Sequence, residues 1–86
     1  MTTVRLPRLL SETAGVDPIH EVSGESVAAA LDELFERLPG LSNHILDEDR
    51  RIRPHVSVFV DGAQADLDTG VAPQSEIRVL HAVSGG

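Results

Sequence analysis

Apolar and polar residues follow two different periods along the chain, and the changes of period mark out its elements. Near the start, Val4 and Leu6 alternate with Thr3 and Arg5, the two-residue repeat of a strand. Pro7 marks this strand as an edge strand or as its end. Leu9-Leu10 is expected to pack where the chain leaves the sheet. The stretch Ser11 to Pro18, with Gly15 and Asp17-Pro18, reads as a loop. Ile19 to Val22 forms a second short strand, broken by Gly24. His20 shares its inward face with Val22, which predicts a partly buried histidine with a structural role.

The period then changes to that of a helix. Val27, Ala30, Leu31, Leu34, Phe35 and Leu38 follow the i, i+3, i+4, i+7 spacing that lines one helix face. Ser26 is a good N-cap and Pro39-Gly40 a stop. Asp32, Glu33, Glu36 and Arg37 cover the solvent side, and Glu33 and Arg37 can pair across one turn. Leu41 to Leu46 adds a short helical turn that buries Leu41, Ile45 and Leu46. Asp47 to Arg53 is a charged connection, whose Arg50, Arg51 and Arg53 are candidate partner contacts.

Strand alternation returns at Val56, Val58 and Val60, with Ser57 and Phe59 on the second face. Asp61-Gly62 is a hairpin turn, with a weak extended piece through Ala65 and a turn from Leu67 to Val71. Glu76 to His81 is the last strand, with Ile77 and Val79 on one face and Arg78 and Leu80 on the other. Strand, strand, helix, turns, strand, strand gives an α+β domain of the β-grasp type. One main helix packs on one face of a mixed sheet of four to five strands. The other face carries Arg5, Ser57, Phe59, Arg78 and Leu80, a candidate partner surface centred on Phe59 and Leu80.

Composition narrows the function. With 86 residues the chain holds one core, and a domain of this size has little room for a deep catalytic pocket. The expected division is a domain at 1–81 and a flexible tail at 82–86, in a carrier or binding module that is not itself an enzyme. A net charge of −7 argues against nucleic acid as partner and is compatible with a basic docking groove. Cysteine is absent, so disulfides and thiolate metal sites are excluded. The four histidines lack ligand spacing, and no metal site is expected. No apolar run is long enough for a membrane helix and no signal peptide opens the chain. A cytoplasmic location is the default. All seven basic residues are arginines, so the chain offers no side-chain amine or thiol to attack an activated terminus.

The tail carries the chemistry. Ala82-Val83-Ser84-Gly85-Gly86 follows the last strand directly. A frayed end is the plain alternative, but two glycines give a thread without side chains that fits a narrow channel. Five extended residues reach about 17 Å. A terminal carboxylate is a poor electrophile and needs activation, most simply as an acyl-adenylate. Sulfur attack on the unhindered glycyl carbonyl would give a thiocarboxylate; amine attack would give an amide.

Val56 to Gly62, Glu76 to Leu80 and the Ala82-Val83-Ser84-Gly85-Gly86 end, in this element order, resemble the MoaD/ThiS family of ubiquitin-like sulfur carriers. The length is closest to its MoaD-like and CysO-like branches. His81 stands where many of that family carry proline. The resemblance implies that an adenylating enzyme of the ubiquitin-activating type uses ATP to activate Gly86. A sulfur donor then forms the thiocarboxylate, and a downstream enzyme accepts the sulfur. That enzyme would be cysteine synthase-like, a molybdopterin synthase large subunit or thiazole synthase-like. Gly85 completes the motif, and Phe59, Arg78, Leu80, His81, Ala82, Val83 and Ser84 would meet the partner. No bound cofactor and no membrane partner are implied. Two alternatives share the tail: a protein modifier joined to target lysines through Gly86, and the small subunit of a stable complex.

Overall fold

The computed structural model describes residues 1–81. Five strands form one mixed sheet: β1 (Thr2–Arg5), β2 (Ile19–Val22), β3 (Val56–Val60), β4 (Ala63–Ala65) and β5 (Glu76–His81). Their order across the sheet is β2-β1-β5-β3-β4. The central pair, β1 and β5, is parallel, and every other pair is antiparallel. This is the expected β-grasp sheet, with five strands. β1 lies inside the sheet rather than at its edge, because Pro7 falls beyond its last residue and costs it no ladder hydrogen bond.

Three helices accompany the sheet. The main one, α2 (Val27–Arg37), has the predicted bounds to within a residue. Ser26 caps it, its Oγ accepting from the Ala29 N–H at 3.1 Å. Two more first-turn amides, which have no partner inside a helix, find carbonyls in the turn before β5. Val27 N–H donates to Thr69 and Ala28 N–H to Leu67, at 2.9 and 3.0 Å. That turn is thus bound to the helix start, and it holds the chain running from β4 to β5 against α2.

The stripe of α2 meets the inward residues of the sheet. Val27, Ala30, Leu31, Leu34 and Phe35 pack with Val4, Val22, Val58, Ile77 and Val79, all buried. Each large side chain so buried contributes about 1.5–3 kcal/mol. A Pro39–Leu41 3-10 turn leads into α3 (Ser42–Ile45), and Leu41, Ile45 and Leu46 are buried as their spacing implies. Gly24 sets the spacing between sheet and helix. Its φ is +150°, and an added Cβ would stand 2.7 Å from the Ala30 amide nitrogen.

The first connection departs from expectation. Arg8–Ala14 is a helix, α1, and its second half occupies Ser11–Ala14, the start of the Ser11 to Pro18 stretch expected as a loop. Leu10 and Ser11 face the core, while Leu9 is exposed. Pro7 starts it without a side-chain cap, and Gly15 ends it in the left-handed conformation at φ +70°. The hairpin turn is as expected: Asp61 and Gly62, at φ 50° and 89°, join Val60 to Ala63.

Candidate functional site

The strand that leads into the tail lies in the middle of the sheet, so its outward residues have neighbours on both sides. Arg78 of β5 stands in one cross-strand row with Arg5 and Ile19 on one side and Phe59 and Gln64 on the other. Toward the tail, Leu80 faces Ser57. Away from it, Glu76 faces Thr3, which in turn faces Glu21. These residues alternate with the core positions Val4, Ile77 and Val79 and therefore share the face that α2 does not cover.

Glu76 organises this face. Arg5 Nε donates to its Oε2 at 2.6 Å, and Arg78 Nη2 donates to its Oε1 at 3.2 Å. The Arg5 hydrogen bond, aided by the charge of both guanidiniums, holds the Glu76 carboxyl below the usual glutamate range. Its backbone is also fixed, since the Glu76 N–H donates to Asp61 Oδ1 at 2.9 Å. That bond chiefly lowers the Asp61 pKa, and the nearby Ser75 side chain adds to the effect. The hairpin turn and the start of β5 are thereby locked together.

The named surface residues divide between two faces. Phe59, Arg78 and Leu80 lie together on the open face, Leu80 exposed and Phe59 half-buried. His81 points to the opposite side of β5, where it pairs with Val56 and its ring meets His55 edge-on at 4.8 Å. Among the loop arginines, Arg50 pairs with Asp32 at 2.6 Å and Arg53 Nε donates to the Asn43 carbonyl at 2.7 Å. Both brace the connection before β3, which leaves Arg51 as the loop arginine without such a bond among the described residues. The calls at Ala82, Val83, Ser84, Gly85 and Gly86 lie outside the described residues.

Ile19 was missed as part of this surface. It is 48% exposed, more than Leu80 at 41%, and it joins the row only through the β2-β1-β5 order. Its signal was the inward assignment of His20 and Val22, which turns Ile19 outward. His20 is half-buried as read, its Nε2 2.6 Å from the Asp17 carbonyl.

A family model with the description ThiS family matches residues 4–86. The chain belongs to that family. Its members are small ubiquitin-like carriers and modifiers. Small archaeal modifier protein 1 of Haloferax volcanii is 32% identical over 79 residues, covering 90% of this chain and 91% of the relative. The crystal structure of that modifier superposes with a TM-score of 0.81 at 30% identity, covering 99% of this chain and 98% of the other. A chain of the Amycolatopsis orientalis BexX/CysO complex gives 0.88 at 23% identity, with both chains covered in full. Mycobacterium tuberculosis CysO gives 0.85 at 22%, covering 96% of this chain and 100% of the other. The last two bear on the fold alone. Among the described residues, no helix is long and apolar enough to cross a membrane, and no group of three or more side chains could hold a metal ion.

Proposed function

We propose that this family member is a sulfur carrier, a protein co-substrate whose reactive group is the Gly86 carboxylate. The observation that carries the reading is the extent of the ThiS family match, which runs through Gly86. An adenylating enzyme of the ubiquitin-activating type binds the open sheet face and receives the tail. A carboxylate oxygen of Gly86 attacks the α-phosphorus of ATP and expels pyrophosphate. Sulfide sulfur then attacks the glycyl carbonyl and expels AMP, leaving a thiocarboxylate. A downstream biosynthetic enzyme joins the sulfur to its acceptor substrate, and water cleaves the glycyl carbonyl from that sulfur, supplying the oxygen that restores the carboxylate. The domain supplies recognition and the tail supplies the carbonyl, so the chain needs no catalytic group of its own.

Incubation with the host's adenylating enzyme, ATP and sulfide, followed by intact mass measurement, tests the reading. One oxygen-for-sulfur exchange is expected at the C-terminus. An unchanged mass, where a related carrier is charged under the same conditions, refutes it.

The 32% identity to an archaeal modifier favours a second reading. A lysine amine of a target protein would attack the same adenylate, expel AMP and form an amide. Gly86-derived remnants on lysines of other host proteins would support conjugation. Absence of lysine in this chain restricts such conjugates to forms not linked through its own lysines.

A further inference from the structure

Over the full open sheet face Glu21 and Glu76 balance Arg5 and Arg78, but the end of that face nearest the tail is locally positive, against the sign of the whole chain. Overall the net charge is −7, which suggests a basic partner. Yet beside the tail root, Arg5 and Arg78 stand side by side on the two central strands, and a single carboxylate, Glu76, serves both. Arg5 engages it through Nε and Arg78 through one Nη. A guanidinium has five donors, and these side chains remain 45% and 51% exposed. Two guanidiniums against one carboxylate leave this pair a net positive charge, with donors turned to solvent.

The arginines also form one wall of a groove of about 310 Å³ whose remaining lining includes Pro18, Ile19, Val79 and Leu80. Of the four large apolar side chains most exposed among the described residues, Ile19 and Leu80 belong to this groove. Apolar walls and solvent-exposed guanidinium donors therefore meet at the end of the sheet from which the tail departs.

We propose that this groove docks an acidic protein surface. The partner seats an apolar side chain between Ile19 and Leu80 and sets a carboxylate beside it on the Arg5–Arg78 pair. A planar carboxylate can accept two parallel N–H bonds from a guanidinium, so the contact fixes orientation as well as attraction. Charge complementarity decides the occupant: a basic partner drawn by the net charge would meet its own sign here. The assignment rests on the carrier reading only in taking the adenylating enzyme as the partner.

The double variant Arg5→Gln/Arg78→Gln separates the two kinds of recognition by sign, because it makes the chain two charges more acidic. Binding to the host's adenylating enzyme is measured without ATP by titration calorimetry, and adenylation by pyrophosphate exchange. The proposal expects Kd and KM for the double variant to rise about tenfold or more, with kcat within about twofold. Arg5→Lys/Arg78→Lys should recover part of the loss, and Ile19→Ser should weaken binding without altering its salt dependence. Thermal melts confirm that each variant is folded. Unchanged or tighter binding by the double variant overturns the docking site. Wild-type binding without charging sinks the carrier reading and leaves the docking test standing; no wild-type binding overturns both.

Discussion

Replacing Gly24 by alanine tests how closely the sheet and α2 are set. Gly24 has φ +150°, a backbone region that side chains rarely adopt and that costs about 1–3 kcal/mol when they do. The new Cβ would also stand 2.7 Å from the Ala30 nitrogen and 3.0 Å from the Ala29 carbonyl carbon and Ala30 Cα. These are backbone atoms of a capped helix and cannot swing away as a side chain would. Relieving such overpacking costs about 1–3 kcal/mol. The two effects overlap, because one backbone shift eases both, and about 3 kcal/mol is a fair total from those ranges. For a domain of this size that lowers Tm by roughly 12–24 °C. Gly15→Ala is the control: Gly15 also has positive φ, but nothing lies within 4 Å of its would-be Cβ, so its cost is about 1 kcal/mol. Urea titration followed by circular dichroism at the helix band measures both. If Gly24→Ala comes within about 0.5 kcal/mol of Gly15→Ala, the close approach of strand and helix is wrong.

Other expectations can be checked alongside. Ser26→Ala removes the α2 cap and should cost about 1 kcal/mol by the same denaturation assay. Glu33, Asp47, Asp61 and Glu76 all have lowered pKa values, caused first by hydrogen bonds from Ser23, Arg51, the Glu76 N–H and Arg5, respectively. Groups with depressed folded pKa stabilise above their unfolded values of 4.5 and 3.8 and lose that contribution as pH falls through the folded ones. Tm should therefore hold from neutral pH to about pH 5 and decline below it; Glu76→Gln should flatten part of that decline. Deleting Gly85-Gly86 should abolish charging, read by intact mass, and shift Tm by less than about 1 °C, because glycine has no side chain to bury. Leu80→Ser should leave Tm within about 2 °C of wild type and raise the KM for adenylation.

Local signals in the sequence were sufficient for some elements and silent about others. The α2 stripe spans three turns between a serine cap and Pro39-Gly40, so period and punctuation agree. The valine alternation of β3 and the Asp61-Gly62 turn similarly define a hairpin within a few residues. α1 has seven residues, no side-chain cap and two buried positions adjacent in sequence. That is too little for a helical period to emerge, and Gly15 with Asp17-Pro18 suggested a loop instead. The central position of β1 comes from parallel pairing with β5, more than seventy residues away, which no local pattern encodes. The same long-range pairing creates the Arg5–Arg78 pair and brings Ile19 into its row. Phe59, Arg78 and Leu80 were legible as surface residues because each lies on a single alternating strand; the groove between three strands was not.

The placement of β5 also has a mechanical consequence. In the proposed carrier, a tail drawn into another protein's channel would pull along this strand, and β5 is hydrogen-bonded on one side to β1 and on the other to β3. Traction along the strand loads those ladders in shear, many bonds at once, whereas an edge strand peeled sideways gives way one bond at a time. In the proposed carrier cycle the domain would thereby be anchored for repeated insertion and withdrawal, with force applied at the tail spread across the sheet before it reaches the core.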